Sequence, residues 1–171
     1  MPVPCLVVLV GASGAGKSSF ARRHFGVTEV VSSDACRAML VDDPGDQSAT
    51  AAAFGLLRYI VRRRLARGRL TVVDATNVQA RSRRPYLALA ERYGVAAVAV
   101  VLDVPEAVCV ARAGARDGRA VAAGVVAEQC AELRGGLDSL YREGFRVIHH
   151  LGQSDVDGGV VIRRLVGAGT P

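Results

Sequence analysis

The sequence predicts an α/β fold, a mostly parallel β-sheet flanked by helices. Three observations carry that reading. Short apolar, β-branched runs alternate with longer helical stretches through the 171 residues. Those runs are apolar almost without interruption, as strands are when both faces of a sheet are covered. The first run leads directly into a glycine-rich loop that opens a helix.

In chain order, "CLVVLV" predicts a strand at 5–10, "TEVVS" at 28–32, "LTVVD" at 70–74, "VAAVAVVLD" at 95–103 and "FRVIHHL" at 145–151. Helices are expected at about 17–25, 34–40, 48–67, 78–93, 105–115 and 121–142. Asp34 is placed to cap its helix, Pro105 stands near a helix start, and Gly68 and Gly94 follow helix ends. Such alternation implies three layers joined by right-handed crossovers. "DVDGGVVIRRLV" reads as a turn followed by a short edge strand, and the tail at about 166–171 as frayed chain or a linker. There is no internal repeat and no low-complexity linker, so 1–171 reads as a single domain.

The net charge is +6 and the pI near 9.7, which favours anionic partners such as nucleotides or nucleic acid. Cys5, Cys36, Cys109 and Cys130 are widely spaced and form no C-x-x-C pair, which argues against a zinc or redox motif. They are expected to be reduced, half-buried side chains of a cytoplasmic protein. His24, His149 and His150 lack metal-ligand spacing. No uncharged apolar stretch is long enough to span a membrane, and "PVPCLVVLV" lacks the basic start of a signal peptide.

"GASGAGKS", Gly11 to Ser18, fits G-x-x-x-x-G-K-[ST] between a buried strand and a helix, the setting of a phosphate-binding loop, or P-loop. Glycines let backbone N–H groups turn inward around phosphate oxygens, and the helix adds its N-terminal dipole. The donor-phosphate site is therefore assigned to Gly11, Ser13, Gly14, Ala15, Gly16, Lys17, Ser18 and Ser19. Lys17 would reach the β- and γ-phosphates, and Ser18 would supply a hydroxyl to Mg²⁺ or Mn²⁺. Lys17 is the only lysine; the other 21 basic side chains are arginine. A phosphate cradle suits a slender stem with a point charge better than a planar fork. With no second lysine, the N-K-x-D guanine motif of Ras-type GTPases is excluded.

A small P-loop domain of this kind points to a phosphotransferase, which needs an acceptor base and a charge-neutralising lid. Asp34, at the carboxyl end of the second strand, is the candidate base, unless it is only a helix cap. Arg37, one helical turn on, is placed to hold an anionic acceptor or the transferring phosphate, unless it is only a surface charge. Asp74 ends the third strand, where a carboxylate would orient water on the metal ion. Thr76 and Asn77 read rather as caps of the next helix. Arg112 and Arg116, at i and i+4, are placed as a lid over the triphosphate, within a helical lid at about 105–135, with Arg119 beyond them, the alternative being a solvated basic helix end. "RRRLARGR" at 62–69 reads mainly as a solvated helix end, with RNA contact as the lesser reading.

"GASGAGKSSFARRHF", "TEVVSSDACR", "DDPGDQ", "LTVVDATN" and the R-x-x-x-R lid, in this order over about 5–150, resemble the 5′-hydroxyl polynucleotide kinase module of bacterial polynucleotide kinase-phosphatase RNA-repair enzymes. The resemblance implies transfer of the γ-phosphate of ATP or another NTP to a 5′-OH end of RNA or DNA. It implies Asp34 as general base and Arg37, assisted by Gln47, on the acceptor phosphate. Arg112 and Arg116 would clamp the donor, and Val125 would touch the acceptor base. In that family, phosphatase and ligase modules accompany the kinase. No such motif follows here. The alternative is a small-molecule or toxin-type kinase acting on a nucleotide sugar or metabolite; a non-enzymatic nucleotide switch is the third reading.

Overall fold

The computed structural model describes residues 2–115 and 120–166. The chain runs β1 (Pro2–Val3), β2 (Cys5–Val10), α1 (Lys17–His24), β3 (Val30–Ser32) and α2 (Ser33–Val41). A single 3₁₀ turn (Gln47–Ala49) leads into α3 (Thr50–Leu65), β4 (Thr71–Asp74), α4 (Ala80–Arg92) and β5 (Ala96–Leu102). Then come α5 (Glu106–Gly114), α6 (Ala123–Leu140), β6 (Val147–Leu151), α7 (Gln153–Gly158) and β7 (Leu165–Val166).

Five strands pair in the order β3-β4-β2-β5-β6, all parallel. All six residues of β2 have no exposed surface. Their side chains alternate: Cys5, Val7 and Leu9 pack with Phe20, Cys109 and Val126 on one face. Leu6, Val8 and Val10 pack with Leu57, Val61, Tyr86 and Leu133 on the other. Each such side chain contributes about 1.5–3 kcal/mol on burial, which is why the strand tolerates no polar residue. The three-layer expectation is met. The chain's move from the β3–β4 side of β2 to the β5–β6 side opens a crevice beyond the carboxyl ends of the strands, where ligands of such sheets bind.

Four local expectations are corrected. Asp34 does not cap α2: the Ser32 hydroxyl accepts from the Ala35 amide at 3.5 Å, and Asp34 lies in the first turn. Asn77 does not cap α4 either. Its φ is 50°, and its Nδ2 donates to the Leu9 carbonyl at 2.8 Å, tying the exit of β4 to the end of β2. The edge strand foreseen near the end exists as β7, but it pairs with β1 in a separate two-stranded sheet, and the expected turn before it is helix α7. Arg164 fixes this segment by forking onto Glu29 at 2.7 and 2.8 Å. The four cysteines form no disulfide and are buried rather than half-buried, because each stands in one of the two core clusters. Among the described residues, no helix is long and apolar enough to cross a membrane. The expected tail lies outside the described residues from 167 onward, as do Arg116 and Arg119 of the expected lid.

Candidate active site

The loop after β2 takes its shape from two backbone requirements. Gly14 has φ 84°, and a Cβ there would stand 2.1 Å from the Cys109 carbonyl oxygen of α5. Gly16 has φ 93° and forms the start of α1, where no side chain caps the helix. A helix N-terminus without a side-chain cap is what an anion site requires. Lys17 is buried, and its Nζ donates to the carbonyls of Gly11 and Ala12 at 2.9 and 2.7 Å. The Ser13 amide donates to Oε1 of Gln129, on α6, at 2.8 Å.

Two adjoining cavities lie at this end of the sheet. The smaller, of about 70 Å³, is lined by Ser13, Lys17, Ser18, Asp34, Asp74 and Thr76, among others. Asp74 is buried, and burial lifts its carboxyl above the usual range, opposed by a hydrogen bond from the Ser18 hydroxyl and the charge of Lys17. A hydroxyl and a carboxylate that line the same small cavity are hard oxygen donors, so they suit a small divalent cation. The residues present fit Mg²⁺ or Mn²⁺.

The larger cavity, of about 590 Å³, is lined by Arg37, Gln47, Thr50, Phe54, Val125 and Gln129 with several neighbours. Ser13, Ser33, Asp34 and Thr76 border both cavities. Asp34 therefore stands where the two meet, its side chain 41% exposed. Arg37 is buried at the cleft wall, with Nη1 donating to Asp34 at 3.0 Å and to the Pro44 carbonyl at 2.7 Å. Its Nε–H is buried and has no hydrogen-bond partner among the described residues. Gln47 is held by the Gly45 carbonyl and the Thr50 hydroxyl, both at 3.2 Å.

The structure thus gathers Ser13, Lys17, Ser18, Asp34, Arg37, Gln47, Asp74 and Val125 around one site. Ser19 borders neither cavity and accepts a hydrogen bond from Arg22 at 3.2 Å. Arg112 also lies apart, its Nη2 held by both carboxylate oxygens of Asp157 at 2.9 Å. Arg116 is outside the described residues. Sequence reasoning passed over Ser33, Phe54 and Gln129. Ser33, next to Asp34 and just past the end of β3, carried a usable signal in the rule that strand carboxyl ends hold ligands. Phe54 and Gln129 carried none, because only tertiary packing brings them to the loop.

The model of the AAA domain family matches residues 6–140. A chain of the Pnkp1/Rnl/Hen1 RNA repair complex shares the fold with a TM-score of 0.69 at 24% identity, over 81% of this chain and 47% of that one. A chain of the AvrRxo1-ORF1:-ORF2 complex with ATP gives 0.68 at 16% identity, over 88% and 55%. Shikimate kinase from Acinetobacter baumannii, in complex with shikimate, gives 0.53 at 16% identity, over 90% and 87%. This chain spans about half the length of the first two. No curated protein matches it. These likenesses are of fold: the parallel sheet that carries the phosphate loop is shared with these structures.

Proposed function

This chain belongs to the AAA domain family, and from that premise we propose that it is a polynucleotide 5′-hydroxyl kinase. It moves the γ-phosphate of ATP or another NTP to the 5′-OH end of RNA or DNA. The observation that carries the reading is the place of Asp34, between the cavity of the phosphate loop and a cleft of about 590 Å³. A hydroxyl entering from the cleft meets Asp34 before it meets the donor.

The chain's own groups divide the work. The loop amides and Lys17 hold the donor phosphates, which requires Lys17 to leave the carbonyls of Gly11 and Ala12. Ser18, and Asp74 through water, would hold a divalent cation, which would neutralise the triphosphate charge. Asp34 accepts the proton of the incoming hydroxyl. Arg37, on the cleft wall, binds the acceptor phosphate, and Gln47 and Val125 border the acceptor. Arg112 and Arg116 serve as the lid, within one kinase domain. The half-length match supports a kinase module that works beside phosphatase and ligase modules in a longer protein.

The test is transfer of label from γ-³²P-ATP to a short 5′-OH oligonucleotide, with RNA and DNA acceptors and all four NTP donors. Label on the 5′ end supports the reading. Intact NTP binding with no label above background overturns it. The shikimate kinase likeness, over 87% of that chain, favours a second reading, transfer to a small metabolite or nucleotide sugar. Label on such an acceptor in place of the oligonucleotide would establish it.

A further inference from the structure

The charge of this chain is segregated. Residues 47–73 hold six arginines and no acid, while the remainder carries 16 cations and 16 anions. The whole excess of +6 therefore lies on α3 and the turn that follows it. A bias toward arginine explains the choice of cation, but it does not explain where the acids are missing.

The same helix borders the acceptor cleft. Thr50 and Phe54, at its start, line that cavity. Arg58 and Arg62 follow Phe54 at four-residue intervals, so they continue its row along the helix surface. Both are exposed, as is Arg63. Tyr59 is 53% exposed, and the Arg62 guanidinium lies 5.7 Å from its ring centroid. No carboxylate among the described residues pairs with Arg58, Arg62 or Arg63. By contrast, Arg64 is used inside the fold, on the Leu70 carbonyl and the Thr71 hydroxyl. From Thr50 to Arg62 the helix rises about 18 Å, the span of about five phosphates of a stacked strand.

We propose that the exposed face of α3 is a track for a single-stranded polynucleotide, which places the arginines on its phosphates and Tyr59 against a base while its 5′ end occupies the cleft. Single-strand sites combine this way a cationic path with an aromatic platform. The proposal rests on the 5′-kinase reading, and it adds that acceptor length matters beyond the terminal nucleotides.

The test compares the parent with Arg58→Gln/Arg62→Gln, on a 5′-OH dinucleotide and on a strand of about 12 nucleotides. Binding of the fluorescently labelled longer strand is read by anisotropy at several salt concentrations. The expected result is a roughly tenfold weaker hold on the longer strand, seen in Kd and KM. The slope of log Kd against log salt should fall by about 1.4, at about 0.7 per phosphate contact. Dinucleotide kinetics should stay as in the parent, and the control Arg142→Gln/Arg146→Gln, also exposed, should change nothing. Tyr59→Leu should weaken the longer strand severalfold. Unchanged binding in the Arg58/Arg62 variant overturns the track. An equal loss in the control, or a loss confined to anionic phospholipid vesicles, overturns it as well. If the parent labels neither acceptor, the kinase reading falls, while the anisotropy still decides the track.

Discussion

The Arg37 guanidinium lies 3.0 Å from the Asp34 carboxylate, with Arg37 buried and Asp34 open to the cleft. The pair belongs to one helical turn, at i and i+3, yet the two groups face different tasks. Arg37 is anchored by the Pro44 carbonyl and keeps one N–H unpaired. Asp34 is held on one side and exposed on the other.

Removing Arg37 should therefore be felt on the acceptor side. Arg37→Ala is expected to raise the acceptor KM by roughly tenfold to a hundredfold, the weight of a charge-assisted hydrogen bond. NTP affinity should stay within about twofold, because the residue lines the cleft and not the smaller cavity. Arg37→Lys keeps the charge and loses the fork, so it should fall between. Steady-state kinetics with each substrate varied separates these outcomes. A loss of NTP affinity with an unchanged acceptor KM would sink the assignment.

Asp34→Asn should leave the fold intact, since Ser32 caps the helix. Single-turnover transfer should slow by about 10²–10⁴-fold, the contribution of a general base. A rate within a few fold of the parent would show that Asp34 is not the base.

Lys17→Arg preserves charge in a site with no room for a fork. Lys17 is buried, and its Nζ already reaches two loop carbonyls. Phosphoryl transfer should drop by about 10²-fold or more. Parent-like activity would mean that the shape of the cation is immaterial.

Two glycines with positive φ should respond differently to alanine. At Gly68, φ is 62° and nothing lies within 4 Å of the added Cβ, so Gly68→Ala should cost about 1–2 kcal/mol. At Gly14 the Cβ would collide with the Cys109 carbonyl. Gly14→Ala should cost more than Gly68→Ala and also weaken NTP binding. Denaturant midpoints and NTP titrations read both effects. Equal costs would mean that α5 yields to the new methyl group.

Asp74 gives a pH-dependent prediction. Burial raises its carboxyl above the unfolded value, so the fold favours the neutral form. Its ionisation then lowers stability as pH rises from the unfolded pKa, about 3.9, through the folded one, and the loss is constant above that. Without metal, Asp74→Asn should melt higher than the parent near neutral pH. That advantage should vanish as pH falls below about 4. The same variant should lose metal-dependent transfer. A variant less stable than the parent at neutral pH would show that contacts of the carboxylate outweigh its desolvation.

Much of the fold was legible because its signals are local. Each of the five expected strands is present with its ends shifted by no more than two residues, since strands buried on both faces have to be apolar throughout. Helix α7 was missed because six residues, with glycines at 152, 158 and 159, give periodicity nothing to register. Asn77 looked like a cap from its neighbours, but its partner, the Leu9 carbonyl, is 68 residues away. Gln129 reaches the Ser13 amide across 116 residues, and Asp157 reaches Arg112 across 45.

By itself, the sequence determined the phosphate loop, the parallel sheet around it and the placing of Asp34 and Asp74 at strand ends, with Arg37 one helical turn beyond Asp34. Each follows from backbone rules or burial acting over a few residues. Only the tertiary structure decided that Asp34 borders two cavities, that Gln129 occupies a loop amide, and that the excess charge runs out from the cleft along α3. Those relations depend on which distant segments the sheet order brings together. Hydrogen bonds and Coulomb forces act over ångströms of space, not over positions in a chain.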